Sequence, residues 1–225
     1  MCGRFSRDMT WQQVHAFSQG LDLIVPDEPI EPSWNVAPSQ SSWVLIAEGQ
    51  DRACAEKMRW GLLPGWAKDA KIGASMINAR IETVATKPAF RSAWKTRRCL
   101  VPASGYYEWR LEAGVKQPYW VHAASGPLLM FAGLWENWKS PTGDWIRSFS
   151  IITQDAEGAM LELHDRTPMM LKPSVLGEWL HGGTEQAAAI AASAHPPPLA
   201  WHAVSRAVGN PRSNGPQLIE PIHGD

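Results

Sequence analysis

Residues 42–61, SWVLIAEGQDRACAEKMRWG, contain two strand-like runs on either side of a short turn. The runs are Ser42–Glu48 and Ala53–Gly61, and residues 49–51 join them. Two such runs with a short connection that contains glycine predict a β-hairpin. Similar runs along the rest of the chain predict further strands over Met76–Glu82, Leu100–Arg110, Tyr119–Ala123, Leu128–Trp138, Arg147–Thr153 and Trp201–Val204.

Helical signals are short and lie between or beside these runs. Thr10 and Gln13 have the spacing of a capping box before apolar residues at helical intervals, which predicts a helix over residues 10–19. Four more helices are predicted over Pro88–Thr96, Glu157–Leu163, Ser174–Leu180 and Glu185–Ala194, the third of them capped by its first residue. Residues 25–38 and 62–75 are predicted to be loops. Seven or eight strands with few helices predict a mainly antiparallel α+β fold with short peripheral helices.

Length and composition favour a single domain. The chain has 225 residues, 44% of them hydrophobic and 19% charged, so 1–225 is most simply one domain, with two small domains as the alternative. Its longest apolar runs fall well short of the roughly 18 residues of a membrane-spanning helix. A basic segment followed by an apolar stretch, as in a secretory signal, is missing from the N-terminus. A cytoplasmic protein is therefore expected.

The cysteines predict neither disulfides nor a metal site. They stand at positions 2, 54 and 99, an odd number without CxxC spacing. Cys54 and Cys99 lie in strand-like runs and are predicted to be small buried hydrophobic residues. The phosphate-binding motifs GxGxxG and GxxxxGK[ST] are absent as well, and no cofactor is expected.

The charge is unevenly distributed. Between Lys57 and Arg98 the chain has ten Lys or Arg residues and two acids, a balance of +8, which leaves −9 for the rest because the net charge is −1. This asymmetry predicts a basic face on an acidic body, and the phosphate backbone of nucleic acid is the commonest partner of such a face. The alternative is an ordinary solvated basic surface.

Cys2 carries the most informative chemistry. A methionine aminopeptidase removes Met1 when the second residue is small, and Cys2 would then have a free α-amine beside its thiol. The reference pKa of an α-amine is about 8, so a useful fraction is nucleophilic near neutral pH. Such an aminothiol condenses with an aldehyde to a Schiff base, on which the thiol closes to give a thiazolidine ring. The alternative is a chance cysteine in a frayed terminus.

Polar residues interrupt apolar segments at four places. Alternation places Asn78, Arg80 and Glu82 on one face of a predicted strand. Glu108 lies among aromatic residues, which predicts desolvation and a raised pKa, and His164 follows a predicted helix. The last group is the tail 204–210. Each has a structural alternative, namely backbone pairing for Asn78, an arginine partner for Glu108 and a helix C-terminus for His164.

Taken together, these residues lie in blocks that resemble one known family. The opening Met1–Phe5 is similar to the start of the SRAP (SOS-response-associated peptidase) family, whose members are also described as abasic-site processing proteins. The resemblance continues through Trp34–Pro38, Arg59–Trp66, Ile77–Thr83, Gly105–Trp109, Leu163–Pro168 and residues 204–221. It implies a barrel-like, β-rich domain that binds abasic sites in single-stranded DNA, notably at junctions with duplex, and crosslinks to them through the N-terminal cysteine.

Carried over by position, the resemblance implies two groups of site residues. The catalytic group is Cys2, Asn78, Glu108 and His164, and the DNA-holding group is Arg4, Asn35, Trp66, Arg80 and Arg166. His164 is expected to donate the proton that opens the sugar ring, Glu108 to move protons at the amine and Asn78 to hold the sugar or the N-terminus. Many bacterial members have an aromatic residue where this chain has Ala67, so a smaller stacking wedge is expected.

The family also implies a cellular setting. A monomer in the cytoplasm, associated with the nucleoid when bound to DNA, would protect abasic sites during the SOS response to DNA damage, with lyase activity and self-removal of Met1 as further activities. One alternative is an N-terminal-cysteine peptidase or amidohydrolase in which the α-amine acts as base. Another is a single-strand binder in which Cys2 is incidental.

Overall fold

The computed structural model describes residues 2–222 and has the mainly antiparallel α+β fold that the sequence predicts. Within these residues there are thirteen strands: β1 (Phe5–Arg7), β2 (Asp22–Ile24), β3 (Ser33–Val36), β4 (Ser41–Glu48), β5 (Arg52–Trp60), β6 (Asn78–Arg80), β7 (Arg98–Ala103), β8 (Gly105–Glu112), β9 (Val115–Ala123), β10 (Leu129–Lys139), β11 (Trp145–Asp155), β12 (Arg166–Pro168) and β13 (Leu199–Ala203).

Five of the strands close into a barrel. β4 pairs with β5 and β7, β7 with β10, and β10 with β11, all antiparallel. The circle closes where β11 runs parallel to β5, with Ser148 opposite Arg59. β2, β6 and β12 extend this sheet outside the circle. The predicted hairpin over residues 42–61 is thus confirmed as one wall of the barrel.

Alternating residues of the barrel strands build two separate cores. Leu45 and Leu100 belong to the cluster that also holds the helix residues Val14 and Trp179, so they face outward under the helices. Their neighbours Val44 and Cys99 belong to a second cluster, which therefore fills the barrel interior. The helices cover the outer face of the barrel wall, and the side chains of its inner face pack against one another inside the barrel.

A second sheet has the order β13-β9-β8-β1-β3, and its residues Phe5 and Tyr106 join the interior cluster. β1 lies in this sheet between β3 and β8, antiparallel to both. The N–H of Tyr107 donates to Arg4 O at 3.0 Å and that of Ser104 to Ser6 O at 2.9 Å. The chain start is therefore held as an inner strand.

Several predicted strands differ from the structure. Thirteen are present in residues 2–222 instead of seven or eight, because strands of three or four residues such as β1, β3 and β12 are too short to show a pattern. The predicted loop over residues 25–38 contains β3. Leu100–Arg110 is two strands, which separate at Ser104 and enter different sheets.

The helices are shorter than predicted. They are α1 (Trp11–Phe17), α2 (Arg91–Thr96), α3 (Leu176–His181) and α4 (Thr184–Ala192). The capping box of Thr10 and Gln13 is confirmed at α1. The prediction for Ser174 is wrong, because it lies within a 3₁₀ turn over Pro173–Val175 and caps nothing. The predicted helix over residues 157–163 is a 3₁₀ turn over Gly158–Glu162 and not an α-helix. Another such turn, Ala70–Ser75, lies in the predicted loop over 62–75.

The two remaining cysteines differ in burial. Cys99 is fully buried as predicted, whereas Cys54 is only partly buried and its thiol faces the carboxylate of Glu48 at 3.7 Å. Across residues 2–222, none of the helices has the length and apolar character needed to cross a membrane. The single-domain expectation stays a prediction, and Met1 lies outside the described residues.

Candidate functional site

Cys2 lies three residues before the start of β1 and is completely buried in the interior cluster. Asn78 Nδ2 donates a hydrogen bond to the backbone oxygen of Cys2 at 2.8 Å, and the Cys2 thiol faces Arg4 O at 3.5 Å. The frayed-terminus alternative is therefore wrong for Cys2, because its backbone is anchored by a residue 76 positions away. An ordered backbone fixes where the thiol lies.

Asn78 is brought to Cys2 by a parallel strand. It begins β6, which pairs with β11 so that Asn78 lies opposite Ile151 in the barrel wall. The Ile77 carbonyl accepts the Ile151 N–H at 3.0 Å and the indole N–H of Trp60 at 2.9 Å. The barrel thus holds the short strand from both sides, and the amide of Asn78 has a fixed direction toward Cys2.

Glu108 and His164 form the titratable part of the site. Glu108, on β8, has 2% of its side chain exposed, whereas His164 follows the turn over 158–162 and has 24% exposed. His164 Nε2 lies 3.7 Å from Glu108 Oε2. The structure therefore brings together Cys2, Asn78, Glu108 and His164, which lie up to 162 positions apart in the sequence.

Burial controls the protonation of these groups. Desolvation raises the pKa of Glu108 to about 7, with a further contribution from the charge of Asp165. The pKa of the Cys2 thiol is raised well above its ordinary value, first by desolvation and then by the charge of Glu108. Desolvation also lowers the pKa of His164. Near neutral pH the site holds a thiol, a mainly neutral imidazole and a carboxyl close to its titration midpoint.

The second ring nitrogen of His164 has two neighbours. The backbone N–H of Arg166 donates to Nδ1 at 2.9 Å, and an oxygen of Asp165 lies 2.8 Å from the same atom. A neutral ring that accepts from Arg166 carries its proton on Nε2, which faces Glu108. A protonated ring also carries a proton on Nδ1 and donates it to Asp165 instead of accepting from Arg166. It can then release the Nε2 proton and remain as a neutral ring whose Nδ1 proton is held by Asp165. The arrangement suits a group that gains and loses a proton at Nε2.

An open groove of about 620 Å³ has one residue of this cluster, Asn78, in its lining. Asn78, which binds Cys2, lies in its lining, and so does Trp66 with 58% of its surface exposed. Arg80 and Lys87 contribute positive charge to the same lining. A second depression, of about 380 Å³, shares Arg80 and extends past it. An exposed indole and two cations beside a buried nucleophile fit a nucleic-acid strand.

The basic stretch between Lys57 and Arg98 is divided among several surroundings. Arg80 and Lys87 line the groove, and Lys68 is exposed. Arg98 is buried and donates to the carbonyls of Trp94 and Trp179, and Arg97 pairs with Glu136 at 2.9 Å. The single basic face expected from the charge count is therefore incomplete, because Arg97 and Arg98 hold the fold together.

Three residues of the predicted DNA-holding group contact other parts of the chain. Arg4 donates to the carbonyls of Val208 and Gly209, and Asn35 is buried and donates to Asn210 O and Ser213 O at 2.9 Å each. These bonds attach the tail to the second sheet. Contact of these two side chains with DNA stays a prediction, since only the protein partners are observed.

Arg166 is the third of these residues. Its guanidinium binds the carboxylates of Glu82 and Asp155 and the carbonyl of Thr153, and only 10% of its side chain is exposed. Both carboxylates lie at the second depression. A direct phosphate contact by Arg166 stays a prediction, and the observed bonds of its guanidinium join β12 to β11 and to the residue Glu82 after β6.

Sequence reasoning did not single out Tyr106 and Thr167. Their hydroxyl oxygens lie 3.0 Å apart, and the charges of Cys2 and Glu108 both act on the pKa of Tyr106, which desolvation raises strongly. Tyr106 is completely buried. Its only sequence signal was its place in the aromatic run before Glu108. Over residues 2–222 no group of three or more His, Cys, Asp or Glu side chains is arranged to hold a metal ion.

Comparison with known proteins gives a consistent result. The family model described as SOS response associated peptidase (SRAP) matches residues 1–211. Abasic site processing protein YoqW of Bacillus subtilis is 38% identical over 98% of this chain and 99% of its own, and YedK of Escherichia coli, also named an abasic site processing protein, is 34% identical over 99% and 100%. A crystal structure of a Bacteroides thetaiotaomicron protein, 22% identical, has a TM-score of 0.79 over 99% of this chain and 100% of that one.

Proposed function

Because the chain belongs to the SOS response associated peptidase (SRAP) family, we propose that it processes abasic sites in DNA and does so by a covalent bond through Cys2. In this proposal the substrate is an abasic site in single-stranded DNA, including one at a junction with duplex. Met1 is removed first, and the product is a thiazolidine that joins the α-amine and thiol of Cys2 to carbon 1 of the deoxyribose.

The position of Cys2 is the observation that carries the proposal. It is a completely buried residue whose backbone is bound by Asn78, and Asn78 also lines the groove that contains Trp66 and Arg80. A sugar without a base is smaller than a nucleotide and exposes an aldehyde when its ring opens. Such a substrate suits a buried nucleophile whose backbone is bound by a residue of the groove lining.

The reaction needs no cofactor. The α-amine adds to the aldehyde carbon, and loss of water from this adduct gives the Schiff base. The thiol then adds to the same carbon, and its proton passes to the nitrogen as the C=N π electrons move there. One water is released overall, and nothing is oxidised or reduced. Ring closure is intramolecular and gains from the fixed position of the thiol.

Glu108 and His164 have complementary proton-transfer roles in this scheme. Burial keeps the Cys2 sulfur protonated, so ring closure requires a base, and Glu108 with a pKa of about 7 can accept and return a proton. His164, with a proton on Nε2, can donate it to the ring oxygen of the closed sugar. The protonated imidazolium of His164 would do this most effectively, because it is a stronger acid than the neutral ring. Asn78 holds the Cys2 carbonyl without adding charge.

The groove residues hold the strand in this proposal. Arg80 and Lys87 are positioned to bind phosphates, and Trp66 to stack on a base next to the gap. Ala67 makes the wedge at a duplex junction smaller than one built from two aromatic residues. The protein would act as a monomer in the cytoplasm and nucleoid and protect the site until repair. Lyase cleavage and self-removal of Met1 are further activities of the proposed site.

The test is incubation with single-stranded DNA that has one abasic site, followed by denaturing electrophoresis. We expect an adduct that survives detergent and heat, no adduct with intact DNA of the same sequence, and none with Cys2→Ala. A Cys2→Ala protein that crosslinks as well as wild type without added reductant would contradict the proposal. Hydrolysis of an added peptide by wild type, without any adduct, would favour the peptidase alternative.

A further inference from the structure

An exposed aromatic and basic patch lies at the end of the hairpin formed by β10 and β11. Trp145, the first residue of β11, has 63% of its surface exposed, which is unusual for an indole. Lys139 lies opposite it in the ladder, with its ammonium 5.7 Å from the centroid of the indole ring. The hairpin thus presents a flat ring beside a cation.

Three neighbouring side chains extend this patch. Lys57, Asn137 and Arg147 line a depression of about 490 Å³ together with Trp145. The Arg147 guanidinium lies 5.7 Å from the ring of Trp135 and binds Glu56 at 2.7 Å. We call Lys57, Asn137, Lys139, Trp145 and Arg147 the hairpin patch. Three of these five residues are cations, so the surface is suited to an anionic partner.

The hairpin patch is connected to the groove by the fold. The indole N–H of Trp138, between Asn137 and Lys139, donates to the Ala67 carbonyl at 2.7 Å, and Ala67 follows the exposed Trp66 of the groove. β11 provides a second connection, because Trp145 starts it and Ile151 pairs with Asn78. Six residue steps along a strand cover about 20 Å, the length of about six stacked nucleotides.

We propose that the hairpin patch binds the single-stranded DNA that flanks the abasic site, with a base stacked on Trp145 and phosphates held by Lys139, Lys57 and Arg147. The inference rests on the proposed function, which supplies the strand. An exposed indole with adjacent cations matches an unpaired base and its phosphates, because a stacking face is accessible only when the base is unpaired. DNA bound at Cys2 would thus have a second attachment point, about 20 Å along β11 from the position that pairs with Asn78.

Fluorescence anisotropy with unreactive abasic-analogue DNA separates this contact from chemistry at Cys2. A short oligonucleotide has about three nucleotides on each side of the analogue, and two longer ones carry about ten extra nucleotides on the 5′ or the 3′ side. We expect one extension to tighten wild-type binding at least about fivefold and Trp145→Ala to remove this gain. Lys139→Gln should lower the salt slope by about 0.7 on the extended DNA only.

Leu111→Ala is the matched control, because Leu111 is 68% exposed at the far end of β8 and lies outside the hairpin patch. It should keep the full gain. A gain that survives in Trp145→Ala overturns the inference, and so does an equal gain when the extension is base-paired. Failure of wild type to form an adduct with reactive short abasic DNA would instead contradict the proposed function. The two failures are therefore distinguishable.

Discussion

Cys2 and Cys99 are both completely buried in the same interior cluster, yet their surroundings differ. Cys99 lies in the barrel wall, where its sulfur faces the backbone of Gly133, and desolvation is the cause of its raised pKa. Cys2 lies three residues before β1, an inner strand of the second sheet, and the charge of Glu108 raises its pKa in addition to desolvation. Asn78 binds its carbonyl and lines an open groove.

The comparison shows that burial alone does not create a reactive site. A buried thiol is a poor nucleophile because desolvation disfavours the thiolate. A buried thiol reacts only when a nearby group can accept its proton. The charge of Glu108 acts on the pKa of Cys2, whereas desolvation accounts for the raised pKa of Cys99.

The largest effect is expected from the proton-transfer residues. Glu108→Gln keeps the shape of Glu108 and removes its titrating group, so single-turnover crosslinking should slow by about 100-fold with DNA affinity nearly unchanged. His164→Gln should slow the reaction of the closed sugar and matter much less for a substrate locked as an open aldehyde. Cys99→Ala is the control and should crosslink at the wild-type rate. Equal slowing of His164→Gln on both substrates would leave His164 with a positioning role.

The next largest effect is expected from a change in the barrel wall beside Cys99. A Cβ at Gly133 would lie 2.8 Å from Cys99 Sγ and 3.0 Å from Ser150 O, so Gly133→Ala requires the wall to shift. We expect it to lower the free energy of unfolding by about 2 kcal/mol, measured by urea denaturation. Crosslinking by the folded fraction should be unchanged. Unaltered stability would mean that the barrel is less tightly packed around Cys99 than described.

An effect of similar size is expected from pH. Glu108 has a folded pKa of about 7, above its ordinary value, so the unfolded chain loses this proton first as pH rises. The stability of the wild type should therefore fall between about pH 4.5 and pH 7, and Glu108→Gln should gain about 3 kcal/mol on it across that range. His164, whose pKa is lowered, acts in the opposite direction but is present in both proteins. Parallel pH profiles of the two proteins would contradict a buried, titrating Glu108.

The smallest effects are expected from Arg80 and Arg166, and they differ in kind. Arg80 is exposed in the groove, so Arg80→Ala should weaken DNA binding modestly and lower the salt slope by about 0.7. Arg166 binds Glu82 and Asp155, and Arg166→Ala should mainly lower the melting temperature. Affinity measured across a salt series, with thermal unfolding in parallel, checks both. An Arg80→Ala protein with an unchanged salt slope would remove Arg80 from the DNA contact.

The sequence predicted what is local and missed what is distant. The hairpin of β4 and β5 was predicted because its two strands adjoin in the chain, and the capping box at Thr10 needs only four residues. Two pairings join segments about 90 to 100 residues apart: β11 pairs with β5 to close the barrel, and β1 inserts beside β8. The periodicity of a sequence carries no information on such distant pairings. Leu100–Arg110 was predicted as one strand because a change of sheet at Ser104 leaves both halves equally strand-like.

The site residues were predicted from the reactivity of Cys2 and from the family resemblance, more than from the periodicity of the sequence. The structure brings together the four predicted catalytic residues, Cys2, Asn78, Glu108 and His164. The internal bonds of Arg4, Asn35 and Arg166 could not be predicted, since their partners lie on distant segments. Tyr106 was missed because an aromatic residue in a strand is usually part of the core.

The central claim is that the bond to DNA forms at Cys2 and at no other nucleophile of the chain. Intact mass followed by peptide mapping of the crosslinked protein tests this most directly. We expect one adduct on the peptide that begins with Cys2, in a chain that lacks Met1, with the mass of the abasic DNA less one water. Attachment at a lysine, at Cys54 or at Cys99, or on a chain that still carries Met1, would contradict the account.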